Sequence, residues 1–214
     1  MATLERASSF VQSFIKDDEG ELGIIYDKAR TDAVPVIRKE TRELLKTQLL
    51  ILRPENILEV GTAVGYSALY MLECLNNKAK ITTLEISEDR IRDARNNIES
   101  LRKCDFIEVV PGDAMETLKK LPDEAYEFVF LDAAKAQYIN YLPELLRVVK
   151  HGGVIFTDNI LQEGEILESH FTVDKRNRTI HDRMREYLLA ITTDKRLETA
   201  ILSVADGVAI SYVK

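Results

Sequence analysis

Asp132, Lys135, Asp158 and Asn159 are the residues whose types and spacing invite chemistry. Each acid closes an apolar run: Phe128 to Leu131 leads into Asp132, and Val154 to Thr157 into Asp158-Asn159. Carboxylate and amide oxygens, with no His or Cys paired to them, suit a hard ion such as Mg2+ or Ca2+ rather than zinc. Such an ion keeps open positions and can lower the pKa of a bound hydroxyl. Asp158-Asn159 taken alone reads as a turn and helix cap; Asp132 on the preceding strand end turns the set toward metal. Lys135, three residues on, would feel the dication, and its pKa could fall far enough for it to act as a base. The plain alternative is a solvated lysine.

A second group sits earlier. Asn56 to Ser67 reads N-I-L-E-V-G-T-A-V-G-Y-S, an apolar strand turning tightly into a helix. Glycines there let backbone approach a ligand, and a helix N-terminus favours polar or anionic groups. The spacing E-x-G-x-x-x-G is neither the dinucleotide G-x-G-x-x-G nor the P-loop. The Glu59 carboxylate would repel a pyrophosphate and suit a cation. Glu85 ends the next strand, where an acid accepts hydrogen bonds from ribose hydroxyls; Asp113-Ala114 could hold an adenine amino group. An adenosine pocket without phosphate features, beside an acidic turn, fits S-adenosylmethionine.

These residues need elements to place them. Residues 1–53 read as a helical cap: one helix over Leu4 to Ile15, with Ala7, Phe10 and Phe14 on its apolar face, another over Leu22 to Ala29, a third over Thr41 to Ile51. Asp32-Ala33-Val34-Pro35 is a turn. From 54 to 214, strands are predicted at Ile57–Val60, Lys80–Glu85, Phe106–Pro111, Phe128–Asp132, Gly153–Thr157, Ala200–Ser203 and Val208–Val213. Helices intervene at Ser67–Leu75, Glu88–Leu101, Ala114–Leu121, Tyr138–Val149 and Asn177–Thr192. Alternation with short connections predicts an α/β fold, a doubly wound, mostly parallel seven-stranded sheet, as one domain. Only Val204-Ala205-Asp206-Gly207 separates the last two strands, so the final one should run antiparallel. Ligands in such sheets bind at the strand carboxyl ends, and Glu59, Glu85, Asp113, Asp132 and Asp158 all fall there.

Composition sets outer bounds. The chain has 214 residues and a formal charge of −7, which argues against indiscriminate nucleic-acid coating while leaving room for a local basic patch. Cys74 and Cys104 lack C-x-x-C spacing and read as reduced thiols. With no signal-like N-terminus and no apolar stretch near the ~20 residues of a membrane span, a cytoplasmic protein without membrane contact is expected.

Together these motifs resemble the class I S-adenosylmethionine-dependent, metal-dependent O-methyltransferases of the catechol and caffeoyl-CoA type. The match runs from about Val34 to Lys214 through Ile57–Ser67, Thr83-Leu84-Glu85, Gly112-Asp113-Ala114, Phe130–Lys135 and Thr157-Asp158-Asn159. The resemblance implies a Rossmann-like fold, a cofactor site of Ile37, Glu59, Gly61, Ser67, Glu85, Asp113, Ala114 and Asp132, and Mg2+ on Asp132, Asp158 and Asn159. Lys135, with Asp132, would be catalytic, and a homodimer is implied. Ala33–Ile37 and Lys175–Ile180 are similar to the short bacterial tRNA 5-hydroxyuridine methyltransferases, which make 5-methoxyuridine at the wobble position.

Lys175, Arg176, Arg178, Arg183 and Arg185 cluster in an otherwise acidic chain. Phosphate contacts there would give salt-dependent RNA affinity, and a splayed base could enter the pocket. The alternative is a solvated helix face, since Asp174, Asp182 and Glu186 are interleaved. The expected reaction is methylation of a hydroxyl oxygen, on tRNA or on a small catechol-like or acyl-CoA-linked phenol; a non-catalytic S-adenosylmethionine-binding module is the reading outside enzymes. His151, His170 and His181 receive no role.

Overall fold

Ile57, Leu58 and Val60 have no exposed surface, as a parallel strand covered on both faces requires. In the computed structural model they form β1 (Asn56–Val60), an interior strand, third in order, of a seven-stranded sheet. The structure describes residues 2–214, with the side chains of residues 2–5 and 7 outside the description. The other strands are β2 (Lys80–Glu85), β3 (Ile107–Pro111), β4 (Tyr126–Leu131), β5 (Val149–Asp158), β6 (Leu197–Leu202) and β7 (Val208–Val213). Their spatial order is β3-β2-β1-β4-β5-β7-β6. β7 alone runs antiparallel, and it enters between β5 and β6 rather than beside β6 at the sheet's edge.

Helices cover both faces. α1 (Ala2–Gln12), α2 (Gly20–Thr31) and α3 (Lys39–Leu52) precede the sheet; α4 (Tyr66–Cys74), α5 (Glu88–Ser100), α6 (Ala114–Leu118), α7 (Tyr138–Val148) and α8 (Arg178–Thr193) follow its strands. Strand alternation divides the core. Ile57, Ile81, Phe128, Phe130 and Phe156 pack with α2 to α5, whereas Leu58, Val129, Leu131 and Ile155 pack with α6 to α8. Leu22, Ile25, Leu45 and Leu49 belong to the first of these layers, so the N-terminal helices are part of the sheet's packing. Phe10 on α1 and Phe14, two residues past its end, are exposed; Leu4 and Ala7, expected on the same apolar face, have side chains outside the description.

Two strand starts differ from expectation by three residues or more. β5 begins at Val149, four residues early, because the strand runs through Gly152-Gly153 instead of starting after it. A Cβ on Gly153 would meet Val149 Cγ1 at 2.6 Å, which explains the glycine in a strand. β6 starts at Leu197, whose side chain is buried while Ile201 is exposed, so hydrophobicity misplaced that edge strand. The stretch after Asn159 holds a 3-10 segment, Gln162–Leu167, that no periodicity announces. No helix among the described residues is long and apolar enough to cross a membrane.

Candidate active site

β1, β4 and β5 lie side by side, and Phe130 pairs with Phe156 in register. One pleat further on the same face come Asp132 and Asp158. Asp158 is fully buried; its Oδ1 accepts from Thr41 Oγ1 at 3.3 Å and from the Asn159 backbone N–H at 2.8 Å. Its Oδ2 is buried without any partner. Asn159 holds a left-handed φ of 57°. Burial first, and then the Asp132 charge, drive Asp158 well above the usual carboxylate range. Asp132 is raised too, by burial, against the pull of Lys135. Two acids that cannot both ionise comfortably, an orphaned oxygen and a neighbouring amide fit a hard divalent cation.

The turn after β1 is built to touch β4. Gly61 has φ 103°, and a Cβ there would lie 2.0 Å from the Asp132 carbonyl oxygen. Glu59 pairs with Thr83 across the β1–β2 ladder, and the Thr83 hydroxyl donates to its Oε2 while Oε1 has no partner. Burial pushes Glu59 up to about 8, with Ser67 and Thr83 pulling the other way. Glu85 Oε2 accepts from Ala63 N–H, and Oε1 from Ile86 and Ser87 N–H. Asp113 caps α6 through the Met115 N–H at 2.8 Å. Asp113 therefore serves as a helix cap as well as standing on the cavity wall.

All this surrounds one cavity of about 1170 Å³ at the carboxyl ends of the strands. Ile37, Gly61, Ser67, Glu85, Asp113 and Ala114 line one side. Asp132, Lys135 and Asn159 line the other. Glu59 and Asp158 sit immediately behind the wall, with no exposed surface. The structure thus brings the expected cofactor and metal sets to one crevice.

It also adds residues that the sequence did not reveal. Asp206, read only as a hairpin residue, is buried; its Oδ1 accepts from Glu163 N–H at 2.6 Å and its Oδ2 stands 3.8 Å from Lys135 Nζ. Gln162, Glu163 and Gly164 are consecutive left-handed residues, and the first two line the cavity rim. Glu165, Asn177 and Arg38 complete that rim, and Arg38 reaches Glu163 at 3.4 Å. An Asp-Gly pair and a run of Gln-Glu-Gly were the only signals for these.

The basic cluster divides. Arg178 bonds the Val173 and Phe171 carbonyls, Arg183 the Ala136 carbonyl and Arg185 the Ile166 carbonyl. Lys175 and Arg176 stand exposed, Arg176 with Asp174 at 3.5 Å. None of the five lines the cavity, but Asn177 between them does. Cys74 and Cys104 are both free thiols.

A doubly wound sheet with this strand order, and an acidic crevice free of phosphate-binding features, define a Rossmann-like methyltransferase. The O-methyltransferase family model matches residues 24–213. Caffeoyl-CoA O-methyltransferase 3 of Nicotiana tabacum is 30% identical over 78% of the chain and 72% of its own length. The structure of an O-methyltransferase from Bacillus cereus in complex with SAH superposes with a TM-score of 0.84 at 26% identity, covering 98% of this chain and 97% of that one. An SAH-bound methyltransferase of Podospora anserina gives 0.88 at 25% identity, covering 100% and 96%. The chain belongs to the O-methyltransferase family, in its S-adenosylmethionine-dependent class.

Proposed function

We propose that the enzyme methylates the hydroxyl of 5-hydroxyuridine at the tRNA wobble position, with Mg2+ or a similar hard cation held by Asp132, Asp158 and Asn159. The observation that carries the acceptor is the path of the basic run. Asn177, flanked by Arg176 and Arg178, is on the cavity rim, so exposed Lys175 and Arg176 stand beside the entrance. Phe171 is 84% exposed a few residues earlier, edge-on to His170. Lysine and arginine offer phosphate contacts, and an open aromatic face offers stacking for a splayed base. The unpartnered oxygen of Asp158 supports the cation.

When bound, a hard divalent cation supplies charge that lowers the pKa of the acceptor hydroxyl. The chain's own groups do the rest. Lys135 Nζ stands over the same wall, held near Asp206, where it can take or stabilise the hydroxyl proton. Glu59, just before the Gly61 turn, and Glu85, bonded to the Ala63 N–H just after it, would hold and orient the cofactor. Catalysis here is mainly the holding of two reactants in line, an effect worth several powers of ten.

Methylation of a catechol-like or acyl-CoA-linked phenol is the second reading, and the caffeoyl-CoA names of the plant relatives favour it. Labelled S-adenosylmethionine with Mg2+ is offered tRNA bearing wobble 5-hydroxyuridine or a simple catechol, each with and without EDTA. Chelator-sensitive label in tRNA is expected, falling at least tenfold in the Lys175→Glu, Arg176→Glu double variant. Label in the catechol alone refutes the tRNA reading. Cofactor binding without transfer to either acceptor would favour a non-catalytic module.

A further inference from the structure

Three side chains outside the cavity converge on one point. His170 follows the 3-10 segment, and His181 and Asp182 lie in the first turns of α8. The Glu168 carbonyl, which only accepts, is 3.1 Å from His181 Nε2, so that nitrogen carries a proton. In the neutral ring, Nδ1 is then a bare lone pair. It faces the Asp182 Oδ1, another acceptor, at 3.0 Å, and His170 Nδ1 is 2.8 Å from the same oxygen. The three ligand atoms lie within 4.8 Å of one another, and His181 is only 2% exposed, so solvent does not separate them. A positive charge belongs between His181 and Asp182.

We propose that His170 Nδ1, His181 Nδ1 and the Asp182 carboxylate form a second metal site, for a divalent ion of the Zn2+ class. Two imidazoles and one carboxylate are a donor set that zinc takes, unlike the oxygen set at Asp132. Zinc bonds of ~2.0–2.1 Å in a tetrahedron set ligand atoms about 3.3 Å apart. The two His–Asp contacts, at 2.8 and 3.0 Å, need to open by only a few tenths of an ångström, while the two imidazole nitrogens, within 4.8 Å of each other, close around the ion. The Glu168 carbonyl already holds the far nitrogen of His181, the outer contact that orients a metal-bound imidazole. His170 and Asp182 are half-exposed, which leaves the fourth position to solvent or to an anionic ligand. The ion ties the turn at 168–172 to the start of α8, the segment that carries Asn177 to the cavity rim.

The rival occupant is a proton, making His181 an imidazolium. Full-length protein is titrated with Zn2+ in excess Mg2+, which keeps the oxygen site filled, and retained zinc is counted after gel filtration. Co2+ substitution is read by visible absorption. One retained Zn2+ per chain and an intense four-coordinate Co2+ spectrum are expected. Both should vanish in His170→Gln and in Asp182→Asn, whose fold is checked by circular dichroism. The wild-type readings come before any variant. No zinc retained by wild type, or undiminished retention in both variants, overturns the site and leaves the imidazolium.

Discussion

With S-adenosylmethionine in the proposed site, Glu59 should make cofactor binding a proton-linked event. The free enzyme holds this buried carboxyl up to about 8, so at pH 7 about nine-tenths of the molecules carry the proton. A cationic ligand at the Gly61 turn favours the carboxylate. Ionising it at pH 7 costs about 1.4 kcal/mol, one pK unit, and binding should release about 0.9 proton. The affinity should rise nearly tenfold per pH unit below 7 and level off above 8. Calorimetry of S-adenosylmethionine binding in buffers of different ionisation enthalpy reads the proton directly. Saturating Mg2+ keeps Asp132 and Asp158 ionised throughout, and Glu59→Gln subtracts the ligand's own titration. The same shift fixes the sign for folding. The folded state binds more protons than the unfolded chain between about 4.5 and 8, so this carboxyl's stabilisation is full below that window and is lost as pH rises through it. Above pH 8, Glu59→Gln without ligand should exceed wild type by about 3–5 kcal/mol. A binding enthalpy independent of buffer, equal in wild type and variant, would refute the reasoning.

Asp206→Asn should lower kcat by about ten- to a hundredfold, through loss of the partner that holds Lys135, with the cofactor Kd unchanged; an equal change in Kd would argue for collapse of the rim instead. Gly61→Ala forces a Cβ to within 2.0 Å of the Asp132 carbonyl at a left-handed φ, and should cost at least about 3 kcal/mol in urea unfolding. Cys104 is exposed, whereas burial pushes the half-buried Cys74 thiol up to about 11. A disulfide reagent at pH 8 should therefore titrate one thiol fast and the other at least tenfold more slowly, and two equal fast phases would contradict this.

The first five strands were legible because each joins an apolar run to a glycine or an acid, and the fold places those acids where the strand-end rule requires. What escaped had no period. Asp206, Gln162 and Glu163 reach the cavity through turns with left-handed residues, where neighbours in space are far apart in sequence. The place of β7 inside the sheet is likewise a tertiary choice: Asp206-Gly207 announced a hairpin but not which partner strand lay beyond it. The arginines illustrate a different loss, since sequence counts charges but cannot see carbonyls that hold three of the five.

The position of β7 has a consequence for the order of events during synthesis. A nascent chain that has emerged only as far as Leu202 presents β5 with one edge bare, and β6 has no neighbour, because the strand that joins them follows both. That edge is a row of unpaired N–H and C=O groups, open to any passing strand. The hairpin that closes it is the one that brings Asp206 to Lys135. Sheet closure and the pairing of Lys135 with Asp206 therefore arrive in a single event, so a chain caught before it is sticky and lacks that pair.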